Sequence, residues 1–283
     1  MFKTPIAALL TVVMLPSVPF AASNSDQVEL TIDKIGGITI PVTVNGHGPF
    51  VFMLDTGSTR SAVSSELAAR VELPLVAKAV IVTSTGSQVQ PVVRLDSISI
   101  GTAGRTSLLA SVIPGLQLRA PGAGVEGIIG QDFLSAFNYT IDYRKKRMSW
   151  AAAVASDDHD RRLPLVKHEG RFLVELQQGD RTLQFVPDSG ATNFVIFERN
   201  GVAPVALAQI SERAELVTLT GTQDMRVMML RRLLVGSTTF ENQVALVVPR
   251  NDPDAPAGDG LLPLHMFASV SFNCAEAYIV MRK

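Results

Sequence analysis

One pattern is written twice in this chain, and the repetition limits the folds open to it. Phe52-Met53-Leu54-Asp55-Thr56-Gly57-Ser58-Thr59 returns as Phe185-Val186-Pro187-Asp188-Ser189-Gly190-Ala191-Thr192, at an offset of 188 − 55 = 133 residues. In each copy apolar residues lead into an acid, followed by a hydroxyl residue and a glycine. An acid at the end of a buried strand, with a glycine turning the backbone beside it, is held still in a partly dry place. Two further landmarks recur in the same order. Val82-Thr83-Ser84-Thr85-Gly86-Ser87-Gln88 matches Val217-Thr218-Leu219-Thr220-Gly221-Thr222-Gln223, with Gly86 and Gly221 offset by 221 − 86 = 135. Gly127-Ile128-Ile129-Gly130 matches Gly260-Leu261-Leu262-Pro263 at 260 − 127 = 133. The chain is therefore two copies of one unit of about 120 residues, far above the period of solenoids and propellers.

The unit reads as β. Val28–Asp33 and Ile38–Val44 alternate apolar and polar residues, as half-buried strands do. Short strands are expected again at 79–84, 89–95, 97–100 and 108–113. Asn45-Gly46-His47-Gly48-Pro49 supplies turn chemistry ahead of the strand that carries Asp55. Helical material is scarce, the best candidate being Ser65–Val71, which opens on a capping residue. Residues 151–162 lose the alternation and gather charge, so a linker is expected there between a first lobe, 24–150, and a second, 163–283. Asp157, Asp158, His159 and Asp160 fall in that linker and read as solvated charge rather than as a metal cluster.

Composition excludes several functions. A net charge of −1 leaves no electrostatic footprint for nucleic acid or an anionic membrane surface. Four histidines and one cysteine leave little for a transition-metal site. The first 23 residues have the features of a secretory signal peptide: Lys3, an apolar run from Ile6 to Val18, and the small residues Ala21-Ala22-Ser23 before a cleavage point. Export, most simply to a bacterial periplasm, is expected, with no membrane span in the mature chain. Cleavage before Asn24 leaves four residues ahead of the first strand at Val28, too few for a long pro-segment. Cys274 is alone, so stability must come from packing rather than disulfides.

Two such units packed about a pseudo-two-fold axis would set Asp55 and Asp188 face to face. Like charges at close range cannot both ionise, so one carboxyl keeps a proton while the other stays a base. Water between them can be deprotonated by one acid while the other protonates a carbonyl oxygen.

These residues resemble the aspartic peptidases. Asp-Thr-Gly-Ser at 55–58, Asp-Ser-Gly-Ala at 188–191 and Gly127-Ile128-Ile129-Gly130-Gln131-Asp132-Phe133-Leu134 carry the resemblance, which spans about residues 28 to 283. The lobe size is that of the retropepsin-like branch, so the chain looks like two retropepsin-like subunits fused. The resemblance implies an all-β fold of two barrel lobes with a cleft between them, an endopeptidase activity, and no cofactor. The expected substrate is a peptide or unfolded protein in extended conformation, bound by a monomer. It further implies Asp55 and Asp188 as the catalytic pair, Thr56 and Ser189 as hydroxyls cross-bonding the lobes, and Gly57 and Gly190 as turn glycines whose N–H groups bind the carboxylates. Thr85-Gly86 and Thr220-Gly221 would be tips of flaps that close over the peptide.

Departures fall in the second copy. Ser58 is expected to support the outer oxygen of Asp55, whereas Ala191 has no hydroxyl, which would make Asp55 the base and Asp188 the proton carrier. Pro187 lacks a backbone donor and suits an edge better than a paired strand. Pro263 replaces the glycine at the end of the supporting segment. These features leave open an alternative in which the two-lobed fold binds peptides or regulates without efficient catalysis. Among the remaining residues, His47 reads as a solvated loop histidine, His265 as a core-edge histidine, Trp150 as a packed anchor, and Met225, Met228 and Met229 as core or flap-base packing. Arg60 could meet substrate or solvent.

Overall fold

A computed structural model describes residues 27–34, 36–83, 86–113, 124–150, 162–218, 221–249 and 258–283. The signal-peptide reading, the linker apart from Arg162, and the turn residues Thr85 and Thr220 lie outside the described residues.

The first half runs β1 (Gln27–Glu29), β2 (Thr31–Ile32), β3 (Ile38–Val44), β4 (His47–Leu54), β5 (Ala62–Ser64), α1 (Ser65–Arg70), β6 (Leu75–Thr83), β7 (Gly86–Ile100), β8 (Ala103–Ile113), β9 (Gly127–Ile129), α2 (Gln131–Leu134), β10 (Tyr139–Asp142) and β11 (Arg147–Trp150). The second runs β12 (Leu163–His168), β13 (Arg171–Gln178), β14 (Arg181–Asp188), β15 (Phe194–Glu198), β16 (Leu207–Thr218), β17 (Gly221–Val235), β18 (Thr238–Pro249), β19 (Gly260–Pro263), a 3-10 turn (Leu264–Met266), β20 (Ser269–Asn273) and β21 (Tyr278–Arg282).

The pairing order repeats along with the sequence. In the first lobe β3-β4-β9-β5-β8-β7 closes on itself through β3–β7; in the second, β13-β14-β19-β15-β18-β17 closes through β13–β17. Each is a small barrel, filled by side chains, with a long hairpin extending from it: β6–β7 and β16–β17. A sheet in the order β1-β11-β10-β20-β21-β12 joins the lobes. Its two halves mirror each other about the antiparallel β10–β20 pair, where Thr140 faces Ser271 and Ile141 faces Val270. The fold is all-β, two retropepsin-like lobes about a pseudo-two-fold.

Strand alternation produces this packing directly. On β3, Ile38, Ile40, Val42 and Val44 point inward and are buried, while Thr39, Pro41 and Thr43 are not. Strands β5 and β9 are buried on both faces, as central strands must be. Beneath the lobes Trp150 packs edge-on against Phe133, Phe137 and Tyr139, and its indole N–H donates to the Ile100 carbonyl at 3.0 Å. Tyr139 then stacks on Phe272 of the second lobe with centroids 4.7 Å apart, so this aromatic group spans the lobe boundary.

Several expected boundaries shift. Val28–Asp33 divides into β1 and β2, because β1 pairs with β11 in the joining sheet while β2 pairs with β3. Residues 89–95 and 97–100 merge into β7, whose broken alternation at Val92-Val93 marks where it exchanges β6 for β8 as a neighbour. The cap of α1 is Ser64, whose Oγ accepts from Leu67 N at 3.0 Å, one residue earlier than Ser65. The turn before β4 contracts to Asn45-Gly46, both with positive φ, and exposed His47 opens the strand. Among the described residues no helix is long and apolar enough to cross a membrane.

Candidate active site

Asp55 follows the last residue of β4 and Asp188 ends β14, where each strand leaves its barrel toward the other lobe. Each acid is then trapped by its own turn. Asp55 Oδ1 accepts from the N–H groups of Gly57 and Ser58, both at 3.0 Å. Asp188 Oδ1 accepts from Gly190 at 2.7 Å and Ala191 at 3.1 Å. The two carboxyls are near enough to interact directly, each acting on the ionisation of the other. The glycines are needed for closeness: a Cβ on Gly57 would sit 2.5 Å from the carboxyl carbon of Asp188, and one on Gly190 would sit 3.1 Å from that of Asp55.

Behind the acids the lobes exchange hydrogen bonds. Thr56 N donates to Ser189 Oγ at 3.0 Å, and Ser189 N donates to Thr56 Oγ1 at 2.9 Å. Each hydroxyl then donates to the carbonyl preceding the opposite acid: Thr56 Oγ1 to Pro187 at 2.8 Å and Ser189 Oγ to Leu54 at 2.7 Å. All four groups are buried, so each bond satisfies atoms that would be costly to leave unpaired.

Pro187 fits this arrangement. Its carbonyl turns toward Thr56, away from β19, and a strand residue's N and C=O leave by the same edge. On that edge β13 pairs with β14 only as far as Phe185, so no ladder bond is lost at the proline.

Parallel pairing of β9 with β4 and of β19 with β14 supports the two turns. Gly130 N donates to Ser61 Oγ at 3.1 Å, and Ser61 donates from N and Oγ to the Asp132 carboxylate. Arg105 donates to the Asp132 carbonyl. In the second lobe, at the same offset of 133, Gly130 becomes Pro263 and Ser61 becomes Phe194. Donor and acceptor vanish together, and Phe194 packs against Phe240 instead. The expected weakness at Pro263 is thus repaired locally by an apolar contact.

Electrostatics separate the two acids. Asp188 is 7% exposed and Asp55 less deeply buried. Burial raises Asp188 well above the usual carboxylate range, and the neighbouring Asp55 charge raises it further. Burial also raises Asp55, but the N–H groups of Gly57 and Ser58, the Asp188 carboxyl and the charge of Arg171 oppose that rise. The balance places the shared proton on Asp188 and the negative charge on Asp55.

The structure brings Asp55, Thr56, Gly57, Ser58, Asp188, Ser189 and Gly190 together. Ser58 requires a correction: its hydroxyl donates to the Arg60 carbonyl at 2.8 Å, and its contact with Asp55 is through the backbone N–H. The turn directs that side chain outward, so Ser58 against Ala191 is not what distinguishes the acids. Gly86 and Gly221 open β7 and β17 opposite Thr83 and Thr218, while Thr85 and Thr220 lie outside the described residues. Arg60 is exposed, with its backbone against Gly130.

Three residues that sequence reasoning passed over reach the site. Gln131 Nε2 donates to the Thr56 carbonyl at 2.8 Å, and Tyr143, its phenol pushed up by burial, lies within the field of Asp188. Arg171 Nε donates to the Gly57 carbonyl at 3.0 Å from the other lobe. Gln131 directly follows the Gly-Ile-Ile-Gly segment and could have been flagged; the others carry no local signal.

The aspartyl protease family model matches residues 40–133 and 174–264, two regions that together cover well over half of the chain. The chain belongs to the aspartyl protease family. A comparison with curated proteins returns no match.

Proposed function

We propose that this protein is an exported aspartic endopeptidase with Asp55 and Asp188 as its catalytic pair. The observation that carries this reading is the close approach of two carboxyls across a lobe boundary, each held by two backbone N–H groups and each packed against the turn glycine of the other. Asp55, as the ionised member, takes a proton from water while oxygen attacks the peptide carbonyl carbon. Asp188 gives its proton to the carbonyl oxygen, so the tetrahedral diol forms without a free oxyanion. Collapse breaks the C–N bond. The amine nitrogen leaves with the proton held by Asp55, and Asp188 recovers one from a diol hydroxyl.

The paired hairpins β6–β7 and β16–β17 suit an extended peptide, whose backbone can extend their hydrogen bonding. Cleavage of an unfolded protein from pH 3 to 8, with Asp55→Asn and Asp188→Asn alongside, tests the reading. Wild-type cleavage lost in both variants is expected. No cleavage by any of the three would favour the peptide-binding alternative, and activity in both variants would displace the site.

A further inference from the structure

The two copies place different residues beside their acids. In the second lobe β12 and β13 turn tightly through Glu169-Gly170, both with positive φ, with His168 opposite Arg171. This turn reaches over the first lobe, where a Cβ on Gly170 would lie 3.6 Å from the Cβ of Thr59. Next to it the half-buried Arg171 donates from Nε to the Gly57 carbonyl at 3.0 Å. Gly57 is the residue whose N–H holds Asp55 Oδ1. The corresponding hairpin of the first lobe, between β2 and β3, sets Gly36 against the ring of His265 and puts Gly37 where the second lobe has Arg171 (171 − 37 = 134, as 170 − 36 = 134). No cation therefore enters from that side at this position.

We propose that Arg171 is a positioning residue that decides which acid of the pair ionises, holding the negative charge on Asp55 so that Asp188 carries the proton. This rests on the peptidase reading for its consequence, but not for its physical content. Arg171 acts from the opposite lobe through two routes: its charge stands in the field of Asp55, and its guanidinium pins the backbone that grips the same carboxylate. The charged groups around it are Asp55, Asp188 and Glu169, the last an exposed acid whose other neighbour is His168 at 3.9 Å. Around Asp188 the additional titratable groups are Tyr143, whose phenol burial keeps neutral, and His265, which is hydrogen-bonded to the backbone of Ala191 and whose pKa burial lowers. Burial of Arg171 lowers its own pKa, and the carboxylates oppose that fall, so the guanidinium stays charged at every working pH. Because Gly37 cannot supply a matching charge, the pseudo-two-fold is broken at the level of protonation although the backbone obeys it.

The test uses the full chain with Arg171→Gln, which removes the charge and keeps a donor, Arg171→Met, which removes both, and Arg171→Lys, which keeps the charge but loses the guanidinium Nε–H that meets Gly57. Two readouts are taken: kcat/KM against an unfolded protein from pH 3 to 8, and carbon-13 titration of the aspartate carboxyls, assigned with Asp55→Asn and Asp188→Asn. In both charge-removing variants the acid limb should move to higher pH, giving a roughly tenfold loss of kcat/KM on that limb against a much smaller loss at the plateau. Arg171→Lys should restore the limb. The lower ionisation of the pair should move in the same sense by NMR. A purely structural Arg171 would lower the plateau in all three variants and leave the limb in place, which would overturn the inference while leaving the peptidase reading intact. If the wild type cleaves nothing yet the carboxyl titration moves, the peptidase reading fails and the assignment of Arg171 stands. Should Arg171→Met not fold, Arg171→Gln gives both readouts.

Discussion

Thr56 and Ser189 exchange backbone-to-hydroxyl hydrogen bonds across the lobe boundary, at 3.0 and 2.9 Å, and each also ties down the carbonyl before the other's acid. Neither acid can shift without dragging the opposite strand. Thr56→Ala would strand the Ser189 N–H and the Pro187 carbonyl in a buried place. At about 1–3 kcal/mol for each unsatisfied group, the expected loss of stability is roughly 2–6 kcal/mol. Thr56→Ser, which keeps the hydroxyl, should lose less than about 1 kcal/mol. Urea denaturation of the two variants, read at one pH, separates these outcomes.

The raised pKa of Asp188 fixes a direction for stability against pH. Its folded pKa lies above the unfolded value, so in the window between the two the native state binds more protons, and stability falls as pH rises. Above the folded value the penalty is fully present; below the ordinary 3.8 it is gone. Asp188→Asn removes the titrating group while keeping the shape of the side chain. The variant should therefore denature at higher urea concentration than wild type at pH 7, with the gap closing toward pH 4, and it should be inactive throughout. A variant less stable than wild type at pH 7 would contradict the proton placement.

The parts of this architecture that repeat at a fixed offset were legible in the sequence, because acid, hydroxyl and glycine must be consecutive for the turn to grip its own carboxylate. Ile38–Val44 was legible for a similar local reason, its alternation matching a strand with one buried face. What escaped was set by the other lobe. Arg171 is 114 residues from the carbonyl it meets, and nothing in His168-Glu169-Gly170-Arg171 indicates that the turn will lean on Thr59. Ser58 misled because a hydroxyl three residues beyond an acid fits two acceptors, and only the turn's geometry selects Arg60. Pro263 resembled damage until its partner position, Phe194, could be seen to have lost the hydroxyl as well. The asymmetry was expected from the Ser58 hydroxyl, which instead turns to the Arg60 carbonyl; what differs between the acids is their burial and the Arg171 charge beside Asp55.

The two turn glycines should not tolerate a methyl group equally. On Gly57 a Cβ would come within 2.5 Å of both the carboxyl carbon and Oδ2 of Asp188, groups held by the Gly190 and Ala191 N–H bonds and unable to retreat. On Gly190 the closest atom is the Asp55 carboxyl carbon at 3.1 Å, which a shift of a few tenths of an ångström relieves. Gly57→Ala is expected to lose more than about a hundredfold in kcat/KM, and Gly190→Ala roughly tenfold, because small misplacements of a catalytic group are costly. Kinetics at the wild-type pH optimum rank the pair; the reverse order would mean that the acids are less rigidly held than their hydrogen bonds imply.

The joining sheet makes a prediction about half of the molecule. β10 has β11 on one side and β20 on the other, and the order β1-β11-β10 is mirrored by β12-β21-β20. A fragment comprising residues 27–150 would keep its own barrel but expose the β10 edge, the Thr140 hydroxyl that meets Ser271 at 2.8 Å, and the face of Tyr139 that stacks on Phe272. Such an edge, flanked by freshly exposed aromatic surface, seeks another strand. The native β10–β20 pair is antiparallel, the geometry that a two-fold axis requires, so a second copy of β10 can occupy the place of β20. The fragment should therefore run as a dimer at tens of micromolar by light scattering, and the dimer would set two copies of Asp55 opposite each other. Thr140→Lys, which sets a charge at the centre of that edge and opposite its own copy across the two-fold, should return it to a monomer. A wild-type fragment that stays monomeric and folded would show that the barrel alone carries the stability, and that the joining sheet serves only to align the two acids.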